Sequence, residues 1–338
     1  MSHSVQATRE SVAERTFHCG PLGVRLQAQA ADLFEKLSDT LDLYDLTWPG
    51  PHRLVSIAAA RSGAADDRAR GTYLRCARML VDRCEDGLRA TTNSGALAVG
   101  TFDERGERWQ ITVPEALVEA GKLEELEDVL SLVLTTGWRR EGWTPIHAAA
   151  VVKDSTCAVF CAPTGGGKTT LTAAFVRRGW NVLGDDKLLL RVRDGRPEIA
   201  ALLHTFNLHP KTREWFPEVG DLELLPRYSV WTEKRKVSVA SIWEHAPVRT
   251  ALPSVLVWLQ RGEADGPALM QPLAEREILA TLLRQTVIPA DPATARAIVS
   301  PIAAAAAQLR GVRLEIPADA YRDPAFLERL ETALVDAP

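Results

Sequence analysis

No apolar run in this 338-residue chain approaches bilayer length. Even Ala303–Ala307 falls far short of the roughly 20 residues a spanning helix needs. Basic excess is missing too: the formal net charge is −4. No global positive field therefore argues for a nucleic-acid partner. The opening MSHSVQATRESVAERT has no apolar core, so no secretory leader is expected. Cysteine is sparse. Cys19, Cys76, Cys84, Cys157 and Cys161 are odd in number and show no metal-ligand spacing. A disulfide framework and a zinc site are not expected, and a reducing cytoplasm suits all five. No repeat and no low-complexity tract interrupts the chain.

What is present is material for two ordinary globular domains. Hydrophobic residues make up 46% of the chain, enough for a core in each. The expected fold class is α/β. An α+β N-terminal domain at 1–140 would bind a partner or substrate, and a nucleotide-binding domain would fill 141–338. The boundary is read at Gly137–Gly142. Residues 17–26 read as a strand after a turn and 29–42 as a helix. Short alternating strands fill 52–113, and helices follow at 115–120 and 122–136. Beyond Asp186, strands are expected at 187–192, 197–204, 235–242 and 252–259. Helices are expected at 273–286, 292–309 and 323–335, with GVRLEI as a strand before the last.

The run Ala162-Pro-Thr-Gly-Gly-Gly-Lys-Thr169 carries the chemistry. The β-prone TCAVFCAP leads into it and the helix-compatible TTLTAAFVRR leads out. A strand, a glycine turn and a helix start aim several backbone N–H groups at one spot. The helix dipole adds partial positive charge there. Thr164, Gly165, Gly166, Gly167, Lys168, Thr169 and Thr170 would hold the phosphates of ATP. Lys168 would reach the β- and γ-phosphates, and the Thr169 hydroxyl would face Mg²⁺.

Two further features converge on that loop. Arg177-Arg178-Gly179 stops the helix, and Trp180–Asp186 reads as a strand ending in two acids. The helix carries the chain out about 1.5 Å per residue, and the strand returns it about 3.3 Å per residue. Asp185 and Asp186 therefore land beside the helix start, where they could hold Mg²⁺ or take a proton from an attacking hydroxyl. Thr144–Val152 reads as one strand, hairpinned through Lys153-Asp154-Ser155 to the strand before the loop. That pairing sets His147 opposite Ala162 or Pro163, where it could donate to a phosphate or exchange a proton.

"HAAAV", "APTGGGKTTL" and "RRGWNVLGDD", in that order and spacing, resemble the core of the HPr kinase/phosphorylase family. The likeness is good over residues 144–190 and vaguer through 310. It is similar in kind to HPr-kinase-related proteins encoded with peptide-modification genes, including lasso-peptide kinases that phosphorylate a serine. The resemblance implies a fold like that of phosphoenolpyruvate carboxykinases, with a mixed sheet. It implies Mg-ATP-dependent phosphoryl transfer to a serine or threonine hydroxyl of a peptide or protein. By the same resemblance Asp185 is the base, Asp186 serves the metal with Thr169, and the domain assembles into a homo-oligomer. The chain departs from the family at Ala162, where glycine is usual, and at Thr164 and Thr169, where serine is frequent. The glycine-rich signature that follows the acid pair in true HPr kinases is missing. A small-molecule hydroxyl kinase and a non-catalytic ATP-binding regulator of a peptide-modification partner remain alternatives. The stretch 205–236 is expected to handle substrate through Phe206, His209, Lys211, Arg213, Trp215, Phe216, Tyr228, Trp231, Lys234, Arg235 and Lys236. Arg284 is a further candidate phosphate contact.

Overall fold

The computed structural model describes residues 12–49, 52–62, 70–104, 106–202, 205–225, 227, 232–243, 248–262 and 268–335. The chain forms a mixed α/β structure in two compact units. One comprises 1–142 with 288–294, and the other 143–287 with 295–338.

The first unit is built on nine strands. A hairpin, β1 (Ala13–Gly20) and β2 (Leu22–Ala28), precedes α1 (Ala31–Asp42). Then come β3 (Leu46–Thr47), β4 (Arg53–Ser62), β5 (Leu74–Arg75), β6 (Met79–Cys84) and β7 (Gly87–Thr92). β8 (Leu97–Asp103), β9 (Gly106–Pro114), α2 (Glu115–Glu119) and α3 (Leu126–Arg140) complete it. The sheet order is β3-β1-β2-β4-β9-β8-β7-β6-β5. β2, β4 and β9 run parallel. Leu33, Leu37 and Leu41 of α1 are buried, as are Leu126, Val129, Leu130, Val133 and Leu134 of α3. That spacing is one helical stripe, and each buried leucine contributes about 1.5–3 kcal/mol. The strand expected after a turn within 17–26 is β2, and a second strand, β1, precedes the turn. Gly20 adopts φ 66, and with Pro21 it turns the chain back on itself.

The second unit begins with β10 (Thr144–Ile146), β11 (Ala149–Lys153), β12 (Thr156–Cys161), α4 (Lys168–Arg177) and β13 (Asn181–Gly184). β14 (Leu188–Arg193), β15 (Arg196–Ala201), β16 (Thr205–Leu208), β17 (Arg235–Ser238) and β18 (Thr250–Ala251) follow. The unit ends with β19 (Val255–Arg261), β20 (Leu269–Leu273), α5 (Glu275–Arg284), α6 (Pro292–Ala306) from Ala295 onward, β21 (Arg310–Ile316) and α7 (Pro324–Val335). Its main sheet has the order β13-β11-β12-β19-β21-β20. β12, β19 and β21 are parallel, and the outer pairs are antiparallel. Every residue of β12 is buried, as a strand covered on both faces requires. No helix among the described residues is long and apolar enough to cross a membrane.

The expected strand 144–152 is broken. β10 pairs with β14 in a second, four-stranded sheet. β11 pairs with β12 and β13 in the main one. His147 and Ala148 make the crossing between sheets, so His147 stands outside both ladders. Its N–H is instead satisfied by the Gln285 carbonyl at 2.7 Å.

Candidate functional site

The site grows from the carboxyl end of β12. Ala162 is buried, and its Cβ explains the glycine behind it. A Cβ at Gly166 would stand 2.8 Å from that of Ala162. Gly165 and Gly167 have φ of 73 and 98, in the left-handed region that glycine enters without strain. Gly167 carries a second constraint: a Cβ there would meet the Tyr321 hydroxyl at 2.9 Å. The three glycines are thus required for conformation, for space, or for both. The turn closes through the Gly166 N–H to Pro163 O, at 2.9 Å.

Gly167 is the N-cap of α4, and Lys168 is its first residue. The first turn points unpaired N–H groups and the positive end of the helix dipole toward the loop. Lys168 is only 7% exposed. Its Nζ donates to Ala162 O at 3.3 Å, so the chain curls back over the loop. Burial holds the Lys168 pKa below the ordinary lysine range, opposed by the charges of Asp186 and Asp185. Thr170 lies half-buried on the same turn, while Thr164 and Gly165 are exposed at the loop's crest.

α4 ends at Gly179, with φ 84, and Trp180 N–H donates back to Phe175 O at 3.1 Å. This glycine stop sends the chain into β13, beside β11. Asp185 follows at 1% exposure. The Thr169 hydroxyl lies 2.9 Å from Asp185 Oδ2. Asp186 adopts φ 71, a left-handed step that aspartate tolerates better than most residues. That step turns the two neighbouring carboxyls to different partners. Asp186 Oδ1 is 3.4 Å from His147 Nδ1. The sequence reading joined Thr169 to Asp186; the hydroxyl's partner is Asp185.

Burial, then the Asp186 charge, pushes Asp185 up to about 7; the Thr169 hydrogen bond, Lys234 and Lys168 oppose the rise. The His147 pKa is pushed down by burial, with Asp186 opposing and Lys168, Lys187 and Lys234 adding to the fall. His147 is therefore mainly neutral at pH 7. Cys161, beneath the loop, is pushed up to about 12 by burial and is inert as a thiolate nucleophile.

The structure joins His147, Lys168, Thr169, Asp185 and Asp186 at one place. It divides the residues of 205–236. Phe206 and Phe216 are fully buried core side chains behind α4, not a stacking surface for substrate. Trp215 packs edge-on against Tyr321. Tyr228 and Trp231 lie outside the described residues. Lys211 and Arg213 are exposed, and His209 is half-buried with its Nε2 3.5 Å from Glu233. The Lys234 charge contributes to the electrostatics of His147, Lys168 and Asp185. Arg284 ends α5 one residue before Gln285, the backbone anchor of His147. Gln285, Lys187 and Tyr321 escaped the sequence reading; no local motif marks them.

No protein-family model matches the chain, and no curated protein matches it. A solved structure does. The chain is similar to the Hpr(Ser) kinase/phosphatase from Coxiella burnetii, at 11% identity over 57% of this chain and 99% of that one, with a TM-score of 0.33.

The donor set at the site is hard oxygen: one hydroxyl and two carboxyls. Oxygen donors of this kind suit Mg²⁺, which usually takes one or two carboxylates and completes its shell with phosphate and water; among the described residues no group of three or more His, Cys, Asp or Glu is placed to hold a metal ion. The glycine cradle, closed to any Cβ at Gly166 and Gly167, suits close approach of phosphate to backbone.

Proposed function

We propose that this chain is a Mg-ATP-dependent kinase that phosphorylates a hydroxyl group, with a serine or threonine of a peptide or protein as the acceptor. The observation that carries this reading is the contact between Thr169 and Asp185. It ties the start of the glycine-loop helix to the acid pair, which is where a triphosphate, its metal and an acceptor must meet.

The geometry supports a division of labour between the acids that the sequence did not suggest. Thr169 and Asp185 would hold Mg²⁺, which when bound supplies charge neutralisation across the phosphates. Lys168 leaves the Ala162 carbonyl for the β- and γ-phosphates. Asp186, turned outward beside neutral His147, orients the acceptor hydroxyl and receives its proton. Positioning and electrostatics then account for most of the rate, as is usual in phosphoryl transfer. A homo-oligomer is proposed with this reading.

The test is mass spectrometry of a serine- and threonine-containing peptide mixture incubated with the protein and Mg-ATP. Wild type is expected to add phosphate to one class of peptide. Lys168→Ala and Asp186→Asn are expected to add none. Transfer undiminished in Lys168→Ala would remove the loop from the chemistry.

A further inference from the structure

β12, β19 and β21 are parallel neighbours, so they end at the same edge of the main sheet. Ligands of such sheets sit outside the carboxyl ends of the strands. The glycine loop leaves from the end of β12. The 3₁₀ turn Ala318–Arg322 leaves just beyond the end of β21, two strands away, or about 10 Å. Tyr321, on that turn, closes the distance. Its hydroxyl stands 2.9 Å from where a Cβ of Gly167 would lie, and no atom of its ring comes within 4 Å of that point. The tip of the side chain, not its flank, meets the loop.

Packing accounts for the ring. Tyr321 is 8% exposed, and Trp215 stands edge-on to it with ring centroids 6.3 Å apart. Arg322 Nη2 donates to Glu214 O at 3.2 Å and ties down the turn that carries it. Packing does not account for the hydroxyl. It has no hydrogen-bond partner among the described residues, and polar groups this far withdrawn from water are seldom left so. Burial raises its pKa, so it keeps its proton and remains a donor. The donor lies beside the N-cap of α4, where unpaired N–H groups and the positive end of the helix dipole favour an anion. A phosphate accepts from several directions at once and suits that place.

We propose that Tyr321 is a nucleotide-binding residue whose hydroxyl donates to a phosphate oxygen of the nucleotide seated on the glycine loop. This rests on the nucleotide-binding part of the kinase reading above. Loop backbone of this kind cradles the α- and β-phosphates, which ADP and ATP share, so the contact serves both. Gly167 then leaves room for a side chain from the far end of the chain to reach the ligand over the loop backbone.

Calorimetry with Mg-ADP and with Mg-pyrophosphate tests this without knowledge of the acceptor. Tyr321→Phe keeps the ring and removes only the hydroxyl. It is expected to weaken both ligands by about tenfold, the scale of a lost hydrogen bond to a charged group. The melting temperature of the ligand-free variant is expected not to fall, because the hydroxyl gives up no protein partner. A loss for ADP alone would place the hydroxyl at the nucleoside and overturn the phosphate contact. No loss for either ligand, or a loss accompanied by a lower melting temperature, would make Tyr321 a packing residue and overturn it too. Wild type that binds neither ligand overturns the kinase reading, and the role of Tyr321 with it.

Discussion

The Thr169 hydroxyl sits between the two carboxyl oxygens of Asp185, at 2.9 and 3.2 Å. One proton serves both, so the hydroxyl oxygen keeps its lone pairs for a metal. Thr169→Ala is expected to raise the Mg²⁺ concentration for half-maximal turnover by ~10–100-fold, the usual scale for a lost ligand or ligand partner. Thr169→Ser keeps the hydroxyl and should stay near wild type. A Mg²⁺ titration of the three proteins decides it; identical curves would separate Thr169 from the metal.

Asp185 should set opposing demands on stability and activity. Its carboxyl is pushed up to about 7 by burial, above its unfolded value. The stabilisation from holding its proton is complete below the ordinary aspartate range and is lost as pH rises through 7. Asp185→Asn should therefore raise the melting temperature of the nucleotide-free protein more at pH 8 than at pH 5, while abolishing transfer. Wild-type affinity for Mg-nucleotide should climb through neutral pH as the carboxyl ionises. A pH-independent difference in melting temperature between the two proteins would refute the burial argument.

Gly165 and Gly167 separate strain from collision. Both have left-handed φ, but a Cβ at Gly165 meets nothing within 4 Å, whereas one at Gly167 meets Tyr321. Gly165→Ala should cost about 1 kcal/mol, the strain of a left-handed alanine. Gly167→Ala should cost more, and Gly167→Ala with Tyr321→Phe should recover part of the excess. Urea unfolding measures all three; equal costs for the two single variants would contradict the packing.

Glu331 binds three donors: Lys153 Nζ at 2.6 Å, Arg178 Nε at 2.8 Å and Trp180 Nε1 at 3.0 Å. Those hydrogen bonds hold its pKa below the ordinary glutamate range against the opposing effect of burial. Glu331→Gln should cost about 1.5–3 kcal/mol. The contribution is complete above the unfolded glutamate pKa and is lost as pH falls through the depressed one. Chemical denaturation at neutral pH and near pH 3 should show the gap between wild type and variant closing in acid; a constant gap would count against the charge.

The sequence made the path from β12 through α4 to Asp186 legible because that path is local. Gly165–Gly167 and Gly179 punctuate it, and helix rise against strand rise is arithmetic. β21 and α7 were readable for the same reason. What stayed hidden depends on distant partners. Apolar residues continue through His147 without a mark, so nothing local announces that the chain changes sheets there; the Gln285 carbonyl settles it. Phe206 and Phe216 looked like a binding surface because they lie among cations, but their neighbours on α4 claim them for the core. Two adjacent aspartates gave no hint of separate partners, since that separation lies in the φ of Asp186. Tyr321 lies far along the chain from the glycine it abuts.

The segment Ile288–Thr294 belongs to the first unit although the chain around it belongs to the second. Within the first unit Ala290 N–H donates to Tyr73 O at 2.8 Å, and Asp291 pairs with Arg83 at 3.2 Å. The backbone therefore passes between the units three times, at 142/143, 287/288 and 294/295. During synthesis the first unit lacks this piece until most of the second has been made. A nascent chain ending at Gly142 would leave the Tyr73 carbonyl without its donor and Arg83 without Asp291, so completion of the amino-terminal unit waits on the carboxyl-terminal one.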